Sequence, residues 1–138
     1  MRVVVDTNVV ISAMLWKGPP DQVLSLARSG RISIYASRAL LDELSQVIRR
    51  PKFAAQVSRT GRTANALLSD YRRLTLRARN SQLTKRISRD ADDDAVLACA
   101  LAVKAELIVS GDDDLLSLKM FRGIEIVPPR DLLRRLTR

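Results

Sequence analysis

The sequence predicts an α/β fold, a three-layer α/β/α sandwich around a central, mainly parallel sheet of four to five strands, built from residues 1–138 as one domain. Three observations lead there. Val3-Val4-Val5 and Leu107-Ile108-Val109 are continuous apolar runs, the pattern of strands covered on both faces, where half-exposed strands alternate. Segments whose apolar residues recur at helical spacing separate the strand-like runs, which is the order of right-handed βαβ units. Both runs end on polar and acidic groups, Asp6-Thr7-Asn8 and Ser110-Gly111-Asp112, and the carboxyl edge of an open parallel sheet is where such folds place their sites.

Taken in order, the first strand runs into a helix from about Val9 to Leu15, for which Asp6, Thr7 or Asn8 is a candidate N-cap. Trp16-Lys17-Gly18-Pro19-Pro20 is a turn whose prolines suit the opening of a second helix, roughly Pro20 to Ser29, with Gly30 as its C-terminal stop. Arg31 to Ala36 reads as a second strand, and Ser37 caps a helix carrying Leu40, Leu41, Leu44, Val47 and Ile48 at helical spacing. Pro51 ends it. Phe53 to about Arg79 forms one or two amphipathic helices, with residues 74–78 as an alternative short strand, and Asn80 to Arg89 is a polar connection. Asp90 to Asp94 crowd the first turn of a helix whose next residues, Ala95 to Val103, are apolar enough to be buried. Leu107 to Val109 follows as a strand, then a short helix through Leu115, Leu116 and Leu118, a strand at Ile124 to Val127, and a basic terminal helix from Arg130 to Arg138.

Composition narrows the chemistry. With 138 residues, 46% of them hydrophobic, one core of ordinary size is expected. No apolar run approaches the roughly 18 to 20 residues of a membrane span, and the start lacks the pattern of a secretory signal, so a cytoplasmic protein is expected. The single cysteine, Cys99, lies inside an apolar run and reads as core. There is no histidine, which removes Ser-His-Asp and Cys-His catalysis and His-ligated zinc. Twenty-four Lys and Arg against 15 Asp and Glu give a net charge of +9, a field that favours polyanions. Between Arg49 and Arg89 twelve cations face one acid, Asp70. Arg49, Arg50, Lys52, Lys85 and Arg86 in this block are candidate phosphate contacts.

The acids are concentrated as well. Asp6, Glu43, Asp94 and Asp112 each follow a strand or lie within two turns of a helix N-terminus, so the predicted fold brings all four to one edge. Like charges about 4 Å apart cost on the order of 1 kcal/mol per pair in water and about 4 at an effective dielectric constant near 20. Helix N-termini return about 0.3 to 1 kcal/mol each. The remainder calls for a cation, and an all-oxygen site without His or Cys selects Mg²⁺ or Mn²⁺. In a basic protein such a site suits hydrolysis of a nucleic-acid phosphodiester. Aromatic content of 4% speaks against a base-stacking platform.

With these residues in place, the chain resembles PIN-domain proteins of the VapC-like group of prokaryotic toxin–antitoxin systems. The resemblance runs through VVVDTNVVISA at the start, SRALLDEL in the third helix and RDADDDAVLACALAVKAELIVSGDDDLL toward the end. It implies a parallel sheet, usually of five strands, between helices, and an acidic quartet that binds Mg²⁺ or Mn²⁺ for endoribonuclease chemistry on RNA. By position the quartet falls on Asp6, Glu43, Asp94 and Asp112. Asn8 and Ser110 match the polar supports, and Asp114 a further acid. Asp94 is chosen over Asp92 and Asp93 because it directly precedes AVLACA. Ser110 stands where the family often has Thr, which keeps the hydroxyl. The resemblance also implies a homodimer and an antitoxin protein whose tail blocks the site.

Two other readings compete. A haloacid-dehalogenase-like phosphatase also places an Asp after its first strand, but needs a second Asp two residues on, where this chain has Asn8. A non-catalytic module would keep the fold and use only its basic face to bind nucleic acid or protein.

Overall fold

In the computed structural model, which describes residues 1–79 and 91–136, the strands are β1 (Arg2–Val5), β2 (Ser33–Ala36), β3 (Leu76–Arg77), β4 (Leu107–Val109), β5 (Met120–Phe121) and β6 (Ile124–Val127). They form one six-stranded sheet in the order β3-β2-β1-β4-β6-β5. All neighbours are parallel except β5 against β6. The helices are α1 (Thr7–Leu15), α2 (Pro19–Arg28), α3 (Arg38–Ile48), α4 (Ala54–Arg59), α5 (Ala64–Leu74), α6 (Ala91–Val103), α7 (Asp113–Leu118) and α8 (Pro129–Leu136). A single 3-10 turn at Pro51–Phe53 leads into α4.

The three layers explain why β1 does not alternate. Val3 and Val5 belong to one core with α1, α2, α3 and α5, whereas Val4 points to the opposite core under α6. Leu107 and Val109 divide from Ile108 in the same way. Successive residues of a strand face opposite sides, so apolar side chains at every position require helices on both faces.

The sheet has one strand more than the four to five expected: β3 falls within the alternative strand at residues 74–78, and β5 is the addition. β3 and β5 are edge strands of two residues, too short for any periodicity. β5 turns into β6 through Arg122 and Gly123, both at positive φ (48° and 83°), the backbone pattern of a tight type I′ hairpin. Ser37 caps α3 as expected, its hydroxyl accepting from the Leu40 amide at 3.2 Å. Gly30, at φ 79°, stops α2: the Arg31 amide reaches back to the Leu26 carbonyl at 2.9 Å in a Schellman closure.

Among the described residues no helix is long and apolar enough to cross a membrane. Cys99 is buried in the core under α6, and burial pushes its thiol up to about 11, while hydrogen bonds from Ser37 pull it partly back. The thiolate is the reactive form. The thiol is therefore expected to resist Ellman's reagent at pH 8 in the folded protein, and to titrate as one equivalent in guanidinium chloride; fast labelling of the native state would contradict this packing.

Candidate metal centre

The chain leaves β1 for β2 on one side and returns to place β4 on the other, so the carboxyl ends of β1 and β4 border the topological switch point, where open α/β sheets form their crevice. Asp6 stands at that end of β1. Its amide donates to the Val109 carbonyl at 2.9 Å, and its carbonyl accepts from Val10, starting α1. Its side chain makes no capping hydrogen bond. Instead the carboxylate Oδ2 accepts from the Ser110 hydroxyl at 2.7 Å. Asp6 is buried, and this burial raises its pKa above the usual carboxylate value. The Ser110 bond and the Asn8 and Thr7 amides pull it down, and the neighbouring Asp112 charge pushes it up.

Ser110 is fully buried and its hydroxyl serves both strands' ends: while donating to Asp6 it accepts from the Asp112 amide at 3.0 Å. Asp112 is the residue that caps. Its Oδ1 accepts from the amides of Asp114 at 2.7 Å and Leu115 at 3.3 Å, opening α7 and leaving the other oxygen outside the cap. Ser110→Ala removes a donor from a buried carboxylate and orphans an amide. A loss of about 1–3 kcal/mol in denaturant unfolding at pH 7 is expected; an unchanged midpoint would show that water replaces the hydroxyl.

Carboxylate oxygens of Asp93, Asp112 and Asp114 lie within 4.8 Å of one another, grading from buried Asp93 through half-buried Asp112 to exposed Asp114. Asp93 is in the first turn of α6, Asp112 caps α7 and Asp114 is in its first turn. Two helix N-termini thus face this group, and that of α1 stands beside it at Asp6, each favouring negative charge. The donors are all oxygen, three carboxylates with one largely shielded from water, a set that fits a hard divalent cation.

The expected quartet is therefore distributed as follows. Asp6 and Asp112 meet through Ser110. Glu43, half-buried on the second turn of α3, is tied to the same strand end by the Thr7 hydroxyl, which donates to its Oε1. Asp94 is half-buried and is not among the three clustered acids; it lies about 100° further round α6 than Asp93. Asn8 is exposed and its backbone amide, facing Asp6, is the part that acts on the site. Asp114 joins the cluster.

Thr7 and Asp93 carry site contacts that the sequence reading did not assign to them. For Asp93 the signal lies in the burial of the helix. Val96, Leu97 and Ala100 are, with Cys99, among the most deeply buried positions of α6, and Asp93 extends their stripe by one turn at spacings of three, four and seven, with 4% exposure. Arg49, Arg50 and Lys52 are exposed at and just beyond the end of α3, with the Arg49 guanidinium on Asn65 and the Lys52 ammonium 5.0 Å above the Phe53 ring. Lys85 and Arg86 lie outside the described residues.

Known proteins share this architecture. The chain is 31% identical over 120 residues to the uncharacterized protein MJ1680 of Methanocaldococcus jannaschii, covering 86% of this chain and 76% of the relative. Among solved structures, a chain of Rickettsia felis VapBC2, crystallised bound to a DNA fragment from the promoter, superposes with a TM-score of 0.60 at 15% identity, covering 91% of this chain and 97% of the other. The PIN domain of human SMG5 gives a TM-score of 0.53 at 14% identity over 98% of each chain. A sequence profile of the PIN domain matches residues 2–114, a span that contains the strand ends at Asp6 and Ser110 and every clustered acid. The chain belongs to the PIN-domain family.

Proposed function

We propose that this protein is a Mg²⁺- or Mn²⁺-dependent endoribonuclease of the cytoplasm, the toxin member of a toxin–antitoxin pair, acting as a homodimer. The observation that carries the reading is the convergence of Asp93, Asp112 and Asp114 within 4.8 Å beside Asp6 and Thr7-anchored Glu43, at the edge of a strongly basic chain. Family membership supports nuclease chemistry, since PIN domains are generally metal-dependent nucleases, and the likeness of fold to VapBC2 supports an antitoxin partner.

Asp6, Glu43, Asp94 and Asp112 are the quartet proposed from sequence; Asp93 and Asp114 are further ligand candidates. When bound, a divalent cation would activate water and offset the charge that develops on the phosphate. The chain's own residues prepare the site. Ser110 fixes the Asp6 carboxylate through its Oδ2, Thr7 holds Glu43 toward the same strand end, and the α7 cap fixes Asp112. Burial of Asp93 keeps water from one side of the cluster.

The test is cleavage of a mixed-sequence RNA followed on a denaturing gel with Mg²⁺, with Mn²⁺ and with EDTA. Internal cleavage that needs either ion and stops with EDTA is the expected outcome. RNA binding that is salt-sensitive but metal-indifferent, without cleavage, would replace the reading by a non-catalytic module. A trapped phosphoryl-aspartate would replace it by a phosphatase.

A further inference from the structure

The register of the sheet extends the site sideways. Val5 pairs with Val109, and Val4 with Tyr35, so Asp6 is level with Ser110 one step beyond the first pair and with Ser37 two steps beyond the second. Ala36 pairs with Arg77, and the Ala78 amide donates to the Ala36 carbonyl at 3.0 Å. Ser110, Asp6, Ser37 and Ala78 therefore form one row along the carboxyl edge. With strands about 4.8 Å apart, Ala78 lies roughly 10 Å from Asp6. Ala78 is buried, whereas Arg77 and Arg79 on either side of it are exposed. Neither arginine has an ion pair or side-chain hydrogen bond among the described residues.

Arg50 and Arg72 share this property among the described residues but lie at helix ends off this row, whereas other cations of the basic block are engaged. Arg62 is paired with Asp70, Arg49 is bonded to Asn65, Arg59 to Gln56 and Arg73 to Ser69. A guanidinium without a partner among the described residues, beside an edge crowded with carboxylates, keeps its capacity for an external anion. We propose that Arg77 and Arg79 hold the backbone phosphates of the RNA strand next to the one presented to the carboxylates, so that substrate runs along the edge from β1 toward β3. This rests on the ribonuclease reading and assigns the flanking contacts to β3, not to the end of α3. The two arginines are positioning residues. They make no contact with the reacting phosphate, and their contribution is independent of sequence.

Binding of a fluorescein-labelled single-stranded RNA of mixed sequence, measured by anisotropy with Mg²⁺ in an Asp6→Asn background, tests this. Each phosphate contact to a single strand contributes about 0.7 to the slope of log K against log salt, so Arg77→Gln with Arg79→Gln should make it shallower by about 1.4. At low salt the pair should weaken binding roughly tenfold or more. In the enzyme with Asp6 intact, KM should rise while kcat holds, and Arg77→Lys with Arg79→Lys should restore most of the salt slope. Arg31→Gln with Arg122→Gln, an equal loss of charge at the opposite edge, should leave the slope near its original value. If RNA is bound and cleaved but the β3 pair changes neither slope nor KM, the proposal fails and the ribonuclease reading stands. If no RNA is bound or cleaved, both fall. Circular dichroism of the β3 variants checks that a lost slope is not lost folding.

Discussion

Asp6→Asn is expected to abolish metal-dependent RNA cleavage, by on the order of 10²–10³-fold or more, the range seen when one electrostatic contact to a reacting centre is lost. The same substitution should leave the melting temperature of the metal-free protein unchanged or raise it. The reason is the direction of the Asp6 shift. Burial holds its folded pKa above the ordinary 3.8, so between the unfolded and folded values the native state binds more protons, and stability falls as pH rises through that window. The destabilisation is complete once the pH lies above the folded value. The amide of the variant has no charge to desolvate, and its oxygen would still accept from Ser110. The advantage of the variant over the parent should therefore be smallest near pH 3, grow with pH, and level off above the folded pKa. Mn²⁺ should stabilise the parent far more than the variant. Thermal melts of both proteins from pH 3 to 7.5, with and without Mn²⁺, measure this. A large loss of stability in the metal-free variant would assign Asp6 a structural role.

Leu97→Ala should do the reverse. Leu97 is fully buried, one helical turn beyond Asp93 on the same face of α6, and truncation leaves a cavity directly beneath the acidic cluster. Such changes cost about 2–5 kcal/mol, which in a domain of this size lowers the melting temperature by roughly 8–20 °C. The carboxylates remain, so added Mn²⁺ should still raise the midpoint of the variant. Loss of that metal response at temperatures where the variant is folded would mean that the position of Asp93 depends on Leu97 packing.

The fold was largely legible because its main signals are local. Continuous Val3–Val5 and Leu107–Val109 runs, the Ser37 cap and the Gly30 stop each depend on a few neighbouring residues. Of the edge strands, Leu76–Arg77 was legible only as the alternative at residues 74–78, and Met120–Phe121 was not, since both gain their identity from a partner strand. Of the site, Asp6 and Asp112 were legible as strand-end acids; the side chain of Asp6 does not cap α1, while that of Asp112 caps α7. Choosing among Asp92, Asp93 and Asp94 required the rotation of α6. The segment from Ala95 to Val103 is apolar at nearly every position and points no single way, so adjacency to AVLACA favoured Asp94 while the helix buries Asp93. Thr7 is decided by α3, which brings Glu43 to a hydroxyl 36 positions earlier in the chain.

The bond between Ser110 and Asp6 joins residues 104 positions apart, across the seam where β1 meets β4. The β3-β2-β1 half and the β4-β6-β5 half can each draw on nearer partners, but closing that seam demands the longest loop in the sheet, and long closures come late and slowly. A nascent chain still emerging from the ribosome holds Asp6, Thr7 and Glu43 long before it has Ser110 or Asp112 to set against them. The acidic edge is therefore completed only when residues 110–114 join the part of the sheet that holds Asp6 and Glu43.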